Sequence, residues 1–278
     1  MGIAEEMGKK QREISVSEFF EKNRHLLGYD NKAKALLIIV KEAVDNSLDA
    51  CEEARMLPEI YVGIKQLAEE KFEIKMRDNG PGIVKEQVPR IFGSLLYGSK
   101  FHRLRQCRGQ QGLGISCAVL YSQLTTGSPT TIVTSTGDGK TSTYLLKIDV
   151  GKNRPIMVGT SVDETRPPWH GVEVTFTAEA TYRENKQSVL EYLKQTAISN
   201  PYADIIFDSP TNGRVEFKRG VSELPPESRE IMPHIEGVEL GVLMRMLSNT
   251  QEKTILSFLM EEFSRLGRQS AGEILMKA

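Results

Sequence analysis

The feature that most restricts this chain is a helical run near its start. Apolar residues recur at Ala33, Leu36, Leu37, Val40, Val44, Leu48 and Cys51, the spacing of one buried helix face. At 100° per residue, Glu42, Asn46 and Asp49 fall at i, i+4 and i+7, within roughly 60° of one another on the other side. Three polar residues on one stripe are ordinary for a solvated face. Here, however, Ala35, Ile38, Ile39, Ala43 and Ala50 flank the stripe, where a water-facing helix more often carries Lys and Glu. An Asn inside a helix also costs about half a kcal/mol against Ala. The helix reads as a wall, apolar behind and chemical in front.

Composition narrows what such a wall could serve. With 278 residues, 39% of them hydrophobic, the chain has enough apolar surface for one large domain or two modest ones. A net charge of −1 supplies no global field toward nucleic acid, so any such contact needs a local patch. The three cysteines, Cys51, Cys107 and Cys117, include no C-x-x-C pair, which argues against a disulfide framework or a zinc site. The longest apolar run, residues 35–40, is far below the roughly 20 residues of a membrane span, and Met1 is not followed by a signal-peptide pattern. A cytoplasmic protein without a membrane partner is expected.

In chain order, residues 1–14 are polar and charged and are read as an N-terminal arm. Ser15-x-x-Glu18 has the spacing of a capping box and predicts a short helix through Phe19, Phe20 and Leu26 that stops at Gly28. Asn31 is placed to cap the central helix, which runs to about Arg55. Ile60, Val62 and Ile64 then alternate as a strand, and Phe72, Ile74 and Met76 as its partner. The second strand delivers Asp78 into Asp78-Asn79-Gly80-Pro81-Gly82-Ile83, a turn whose glycines admit close backbone approach. A carboxylate there can accept from the exocyclic amine of a flat ring held by apolar walls, a pair of features that adenine has.

A helix is expected from Glu86 to about Leu96. Beyond it lies a basic stretch, residues 97–108, whose positive charges suit a lid over an anion. It ends in Gly109-Gln110-Gln111-Gly112-Leu113-Gly114-Ile115-Ser116, leading into an apolar helix. Backbone N–H groups at a glycine-rich helix start form a phosphate cradle. The order G-x-x-G-x-G after a lid is not the dinucleotide-binding G-x-G-x-x-G after a strand. Gly139-Lys140-Thr141 is not a P-loop tail either, because Thr134 stands where that motif requires glycine.

Strand patterns continue over residues 130–136, 143–149, 156–160, 172–177, 205–208 and 214–218, with a helix over 186–199. Helices followed by a largely antiparallel sheet make an α+β layer fold. Residues 15–220 are read as one domain and 221–233, with Pro225-Pro226, as a linker. Residues 234–278 are read as short helices broken at small residues, with the last expected to continue past residue 278.

Glu42-x-x-x-Asn46-x-x-Asp49-Ala50, Asp78-x-Gly80-x-Gly82 and Gly109-x-x-Gly112-x-Gly114, in this order, resemble the nucleotide motifs of the GHKL ATPases, the superfamily of gyrase-type topoisomerases, a large heat-shock chaperone, sensor kinases and MutL repair proteins. Within it, residues 17–20, Tyr97-Gly98-Ser99-Lys100, Arg108 to Ser116 and Gly237-Val238-Glu239-Leu240-Gly241 resemble the B subunits of the archaeal type IIB topoisomerases, the topoisomerase VI family, over nearly the whole chain. The resemblance implies a GHKL-type sandwich of helices on a mixed, largely antiparallel sheet, followed by a partial helix-two-turn-helix module.

It further implies ATP and Mg2+ as cofactors, Glu42 as the base that activates water, Asn46 as the magnesium ligand and Asp78 as the adenine reader. Asp49, Gly80 and Gly82 belong to the same motifs. Ser99 and Lys100 would begin the lid, and Arg108, Gly109, Gln110, Gln111, Gly112, Leu113, Gly114 and Ile115 would wrap the phosphates. Thr175 matches a strand-borne contact. The implied machine is an ATP-operated clamp in which two B subunits close around double-stranded DNA, while a partner A subunit cleaves it. The helical module, with Arg245, Lys253, Arg265 and Arg268 offset by Glu236, Glu239, Glu252, Glu261 and Glu262, is read as structural. The family's transducer domain and the tail that holds the A subunit lie outside these residues, so slow hydrolysis by this chain alone is expected. The alternative is another GHKL module, a MutL-like or chaperone-like nucleotide-gated interaction domain. A sensor kinase is disfavoured because those enzymes lack a water-activating glutamate.

Overall fold

The computed structural model describes residues 14–98, 108, 112–165, 167–227 and 232–277. They form two units whose boundary in sequence lies between Pro226 and Glu227.

The first unit is a sheet with helices on one face. Ser15 caps α1 (Val16–Lys22) through its Oγ, which accepts from Glu18 N at 3.1 Å. The helix is shorter than its pattern predicts: Asn23 caps it, and the chain turns through exposed Leu26 to Gly28, whose φ of +77° suits glycine. Asn31 Oδ1 accepts from Ala33 N and Lys34 N and starts α2 (Lys32–Glu53). At 22 residues α2 is about 33 Å long. Leu36, Val40, Val44, Leu48 and Cys51 are buried as expected, but Ala33 and Leu37 are only half-buried, while Ala35, Ile39 and Ala43 are buried. The buried arc is wider because α2 packs on the sheet and also on neighbouring helices.

Strands β1 (Glu59–Ala68) and β2 (Lys71–Arg77) form the predicted antiparallel pair, with Val62 opposite Met76 and Ile64 opposite Ile74 on the inner face. Helix α3 is reduced to Val88–Gly93, where the expected helix was twice as long. It starts at the Pro89 turn, and Leu96 adopts a left-handed φ of +61° that ends any helical continuation. Then come α4 (Gly114–Thr126), β3 (Thr130–Thr136), β4 (Thr141–Asp149), β5 (Arg154–Asp163), β6 (His170–Glu179), α5 (Val189–Ser199), β7 (Asp204–Ser209) and β8 (Gly213–Phe217).

The sheet runs β5-β4-β3-β6-β2-β1-β7-β8, antiparallel except for β1 beside β7. This is the α+β architecture expected. Its inner face carries Ile60, Val62, Ile74, Phe176, Ile132, Leu146 and Phe207, all buried beneath α2, α4 and α5. Alternation fails to predict the burial of β5, whose Ile156, Met157 and Val158 are exposed at the sheet edge. Cys51 and Cys117 are buried and free, and burial pushes both thiols up to about 12.

The second unit has α6 (Leu240–Asn249), α7 (Ile255–Glu262) and α8 (Arg268–Lys277). They close a small core of Phe258, Leu259, Phe263 and Ala271, with Phe258 and Phe263 edge to face at 5.6 Å.

Candidate functional site

A cavity of about 570 Å³ opens between α2, the β2–α3 turn and the start of α4, a size typical of small-molecule sites. Its walls include Met76, Ile83, Ile91, Phe92, Val172 and Val174. Glu42 and Asn46 face it from α2, Asp78 from the end of β2, Gly82 from the turn, and Gly112, Gly114 and Ile115 from the start of α4. Residues far apart in sequence thus meet at one place.

Asp78 sits at one end, 7% exposed. Its Oδ2 accepts from Ser47 Oγ at 2.8 Å, and its Oδ1 accepts from Gly80 N and Val172 N, each at 3.0 Å. A carboxylate has about four acceptor positions, so one remains for a donor in the cavity. Burial pushes the Asp78 carboxyl above its ordinary value against the pull of these three bonds. The turn that follows is tightly seated. Gly82 has a φ of +74°, and a Cβ there would overlap the Ser135 carbonyl.

At the other end, the Glu42 carboxylate lies against the first residue of α4, so a methyl group at Gly114 would overlap it. Burial raises the Glu42 carboxyl from its ordinary value, Lys41 at 4.0 Å opposes this, and Asp45 adds to it. The α4 start has no side-chain cap, so its first N–H groups, which lack intrahelical acceptors, are free for an anion. Among the described residues no cluster of three His, Cys, Asp or Glu side chains forms a metal cage. Asn46 beside Glu42 fits a hard cation that takes its other ligands from a bound anion and water.

Three expected contacts lie elsewhere. The arc of α2 that faces the cavity runs from Glu42 through Asn46 and Ala50 to Ala43 and Ser47. Asp49 is at the opposite edge of the polar stripe and turns away. There its carboxylate, 8% exposed, pairs with Arg108 at 2.9 Å. Arg108 also bonds Glu52 Oε1 at 2.9 Å and Asn200 Oδ1 at 2.7 Å, and so is held on the far flank of α2. Thr175 is corrected on similar grounds. Val172 and Val174 line the cavity, and the two-residue period of β6 puts Thr175 on the other face of the sheet, in register between Thr131 and Lys75.

Gly80 and Leu113 act behind the lining, as the donor to Asp78 and as the N-cap position of α4. Ser99, Lys100, Gly109, Gln110 and Gln111 lie outside the described residues. Sequence reasoning missed Ser47, which is 140° around the helix from Glu42. The available signal was a small polar residue in a helix otherwise apolar on that side.

Chemically, the arrangement can hold a flat heterocycle by an amine at Asp78, an anion at the α4 start, and a water and hard cation at Glu42 and Asn46.

A family model described as "Histidine kinase-, DNA gyrase B-, and HSP90-like ATPase" matches residues 31–152, which carry most of this lining. The chain is 50% identical over 274 residues to the B subunit of type 2 DNA topoisomerase 6 from Archaeoglobus fulgidus, covering 98% of this chain and 45% of that protein. It is 48% identical over 279 residues to the protein of the same name from Methanococcoides burtonii, covering 99% of this chain and 44% of that one. The chain thus spans less than half the length of these relatives.

Proposed function

The chain belongs to the family of type 2 DNA topoisomerase 6 B subunits, and on that premise we propose that its cavity binds ATP with Mg2+ and hydrolyses the nucleotide to drive a dimerising clamp. The observation that carries this reading is the placement of the Asp78 and Glu42 carboxylates at opposite ends of one cavity, the second against an uncapped helix start.

Asp78 takes the exocyclic amine of adenine with its remaining acceptor position, while the apolar walls hold the ring. The first turn of α4 receives the phosphates through backbone N–H groups at Gly114 and Ile115. Asn46 would ligate Mg2+, which when bound neutralises charge on the phosphate oxygens. Glu42 orients a water in line with the terminal phosphorus and accepts its proton as the new O–P bond forms and the bridging O–P bond breaks, leaving ADP and phosphate. In the complete protein, this cycle would join two B subunits around duplex DNA and would act with an A subunit that cleaves the duplex.

Glu42→Ala tests the reading. A general base contributes about 10² to 10⁴ in rate, so the variant of the full-length protein is expected to bind ATP like the parent, measured by calorimetry, and to lose turnover by that factor. Affinity that collapses while turnover of bound ATP persists would reverse the assignment.

A further inference from the structure

Ten residues, 78–87, connect β2 to α3 without strand pairing, and the base-reading carboxylate is the first of them. What keeps this connection in place is a set of bonds to β3 and β6, together with the Asn79 amide, which accepts from Glu59 N at 2.8 Å and donates to Leu57 O at 3.0 Å. Asp78 N donates to Val172 O at 2.9 Å, and Ile83 N donates to Thr134 Oγ1 at 2.9 Å. Thr134 Oγ1 in turn donates to Gly171 O at 3.1 Å. Between these ends the Gly80 carbonyl is held by a side chain: His170 Nδ1 lies 2.9 Å from it. A carbonyl only accepts, so Nδ1 carries the proton.

His170 opens β6 opposite Thr136 and is absent from the cavity lining. It lines a separate concavity on the other side of the Asp78–Gly80 segment, together with Trp169 and Arg77. Its neighbour Gly171, at φ +131°, lets β6 come so close that a Cβ there would overlap the Asp78 carbonyl. The imidazole therefore grips from behind the same residue whose N–H, at Gly80, donates to the Asp78 carboxylate.

We propose that His170 is a positioning residue for base recognition: its Nδ1–H bond to the Gly80 carbonyl holds the Asp78–Gly82 turn so that Asp78 keeps its free acceptor aimed into the cavity. The inference rests on the reading of the cavity as an ATP site. Gly80 is buried, so without His170 its carbonyl loses its partner away from water, and the turn relaxes to recover one. Asp78 moves with it.

The test uses His170→Ala, His170→Asn and His170→Gln in the full chain. The Asn amide nitrogen stands where Nδ1 does, two bonds from Cβ, whereas that of Gln reaches one bond further. Calorimetry with Mg-ATP is expected to show His170→Ala and His170→Gln weakened roughly tenfold or more, the scale of one buried unsatisfied polar group. His170→Asn should stay close to the parent. In the full-length protein KM should rise with kcat nearly unchanged, and thermal melting without nucleotide should not separate Asn from Gln. If His170→Ala fails to fold, the Asn and Gln pair decides. A parent chain that does not bind ATP overturns the reading of the cavity and this inference together. A parent that binds, with His170→Ala equal to it or with Asn as weak as Gln, overturns the inference alone.

Discussion

In the proposed ATP site, a single carboxylate, Asp78, would select the base. Three of its acceptor positions are taken by Ser47, Gly80 and Val172, so its orientation is set before any ligand arrives. Asp78→Asn preserves this frame but presents an amide that donates where acceptance is needed. Calorimetry is expected to show ATP affinity reduced by roughly tenfold to a hundredfold, the scale of 1–3 kcal/mol for a mismatched buried polar contact, with thermal stability little changed; parental affinity would remove Asp78 from the reader's role. Glu42 makes a second prediction at this scale. Its raised carboxyl is protonated at a pH where an ordinary glutamate, with its value of 4.5, is already ionised. A base must be ionised, so kcat/KM of the full-length protein, which reports the free enzyme, should fall with decreasing pH along a limb whose midpoint lies above 4.5. Stability moves the other way. The folded state holds these protons more tightly than the unfolded chain, so the contribution of Glu42 and Asp78 is greatest below their ordinary values and declines as pH rises through them toward the raised ones. A kcat/KM limb centred at or below 4.5 would count against Glu42 as the base.

Among the elements, α2 and α4 form one end of the cavity through the close approach of Glu42 and Gly114. Gly114 is the first residue of α4, and its missing Cβ is what lets the helix start abut the Glu42 carboxylate. Alanine would favour the helix by up to about 1 kcal/mol, yet its methyl group would displace Glu42. Gly114→Ala is therefore expected to leave the melting temperature unchanged or higher while turnover falls by about a hundredfold, the cost of misplacing a catalytic group by an ångström or so. Unchanged turnover would show that the approach of these two helices does not set the position of the base. Elsewhere on α2, the same helix surface has a structural role. Asp49 and Glu52 share Arg108, and Tyr202 donates its one hydroxyl proton to Glu52 at 2.5 Å, with Asn200 Oδ1 2.9 Å from the same hydroxyl, which ties the helix to the segment after α5.

Across the molecule, every described residue lining the cavity lies between Glu42 and Val174, and the second unit has its own small core. Residues 1–226 expressed alone should therefore fold and bind Mg-ATP with the affinity of the 278-residue chain, as followed by circular dichroism and calorimetry. A marked loss of affinity in a folded 1–226 would mean that the helical unit contributes to the site. Among the described residues no helix is long and apolar enough to cross a membrane.

The sequence by itself determined the order of the elements, though not the lengths of α1 and α3, and the residue types that stand in the motifs. Asn31 announced the start of α2, alternation at 60–64 and 72–76 announced β1 and β2, and Asp78 and Gly114 could be singled out because their residue types carry local information: a cap, a period, a carboxylate at a strand end, a glycine where backbone must come close. Only the tertiary structure decided which side of each element faces the cavity. Glu42, Asn46 and Asp49 share a stripe, yet α2 is rotated so that Ser47 and Ala50 face inward and Asp49 is left to Arg108. Thr175 and Val174 are neighbours in one strand, and the sheet's orientation toward α2 gives the cavity to Val174. Helical and strand periods state which residues share a face. The rotation of that face about its own axis is set by the packing of α2 between sheet and helices, a sum of long-range contacts that no local pattern encodes.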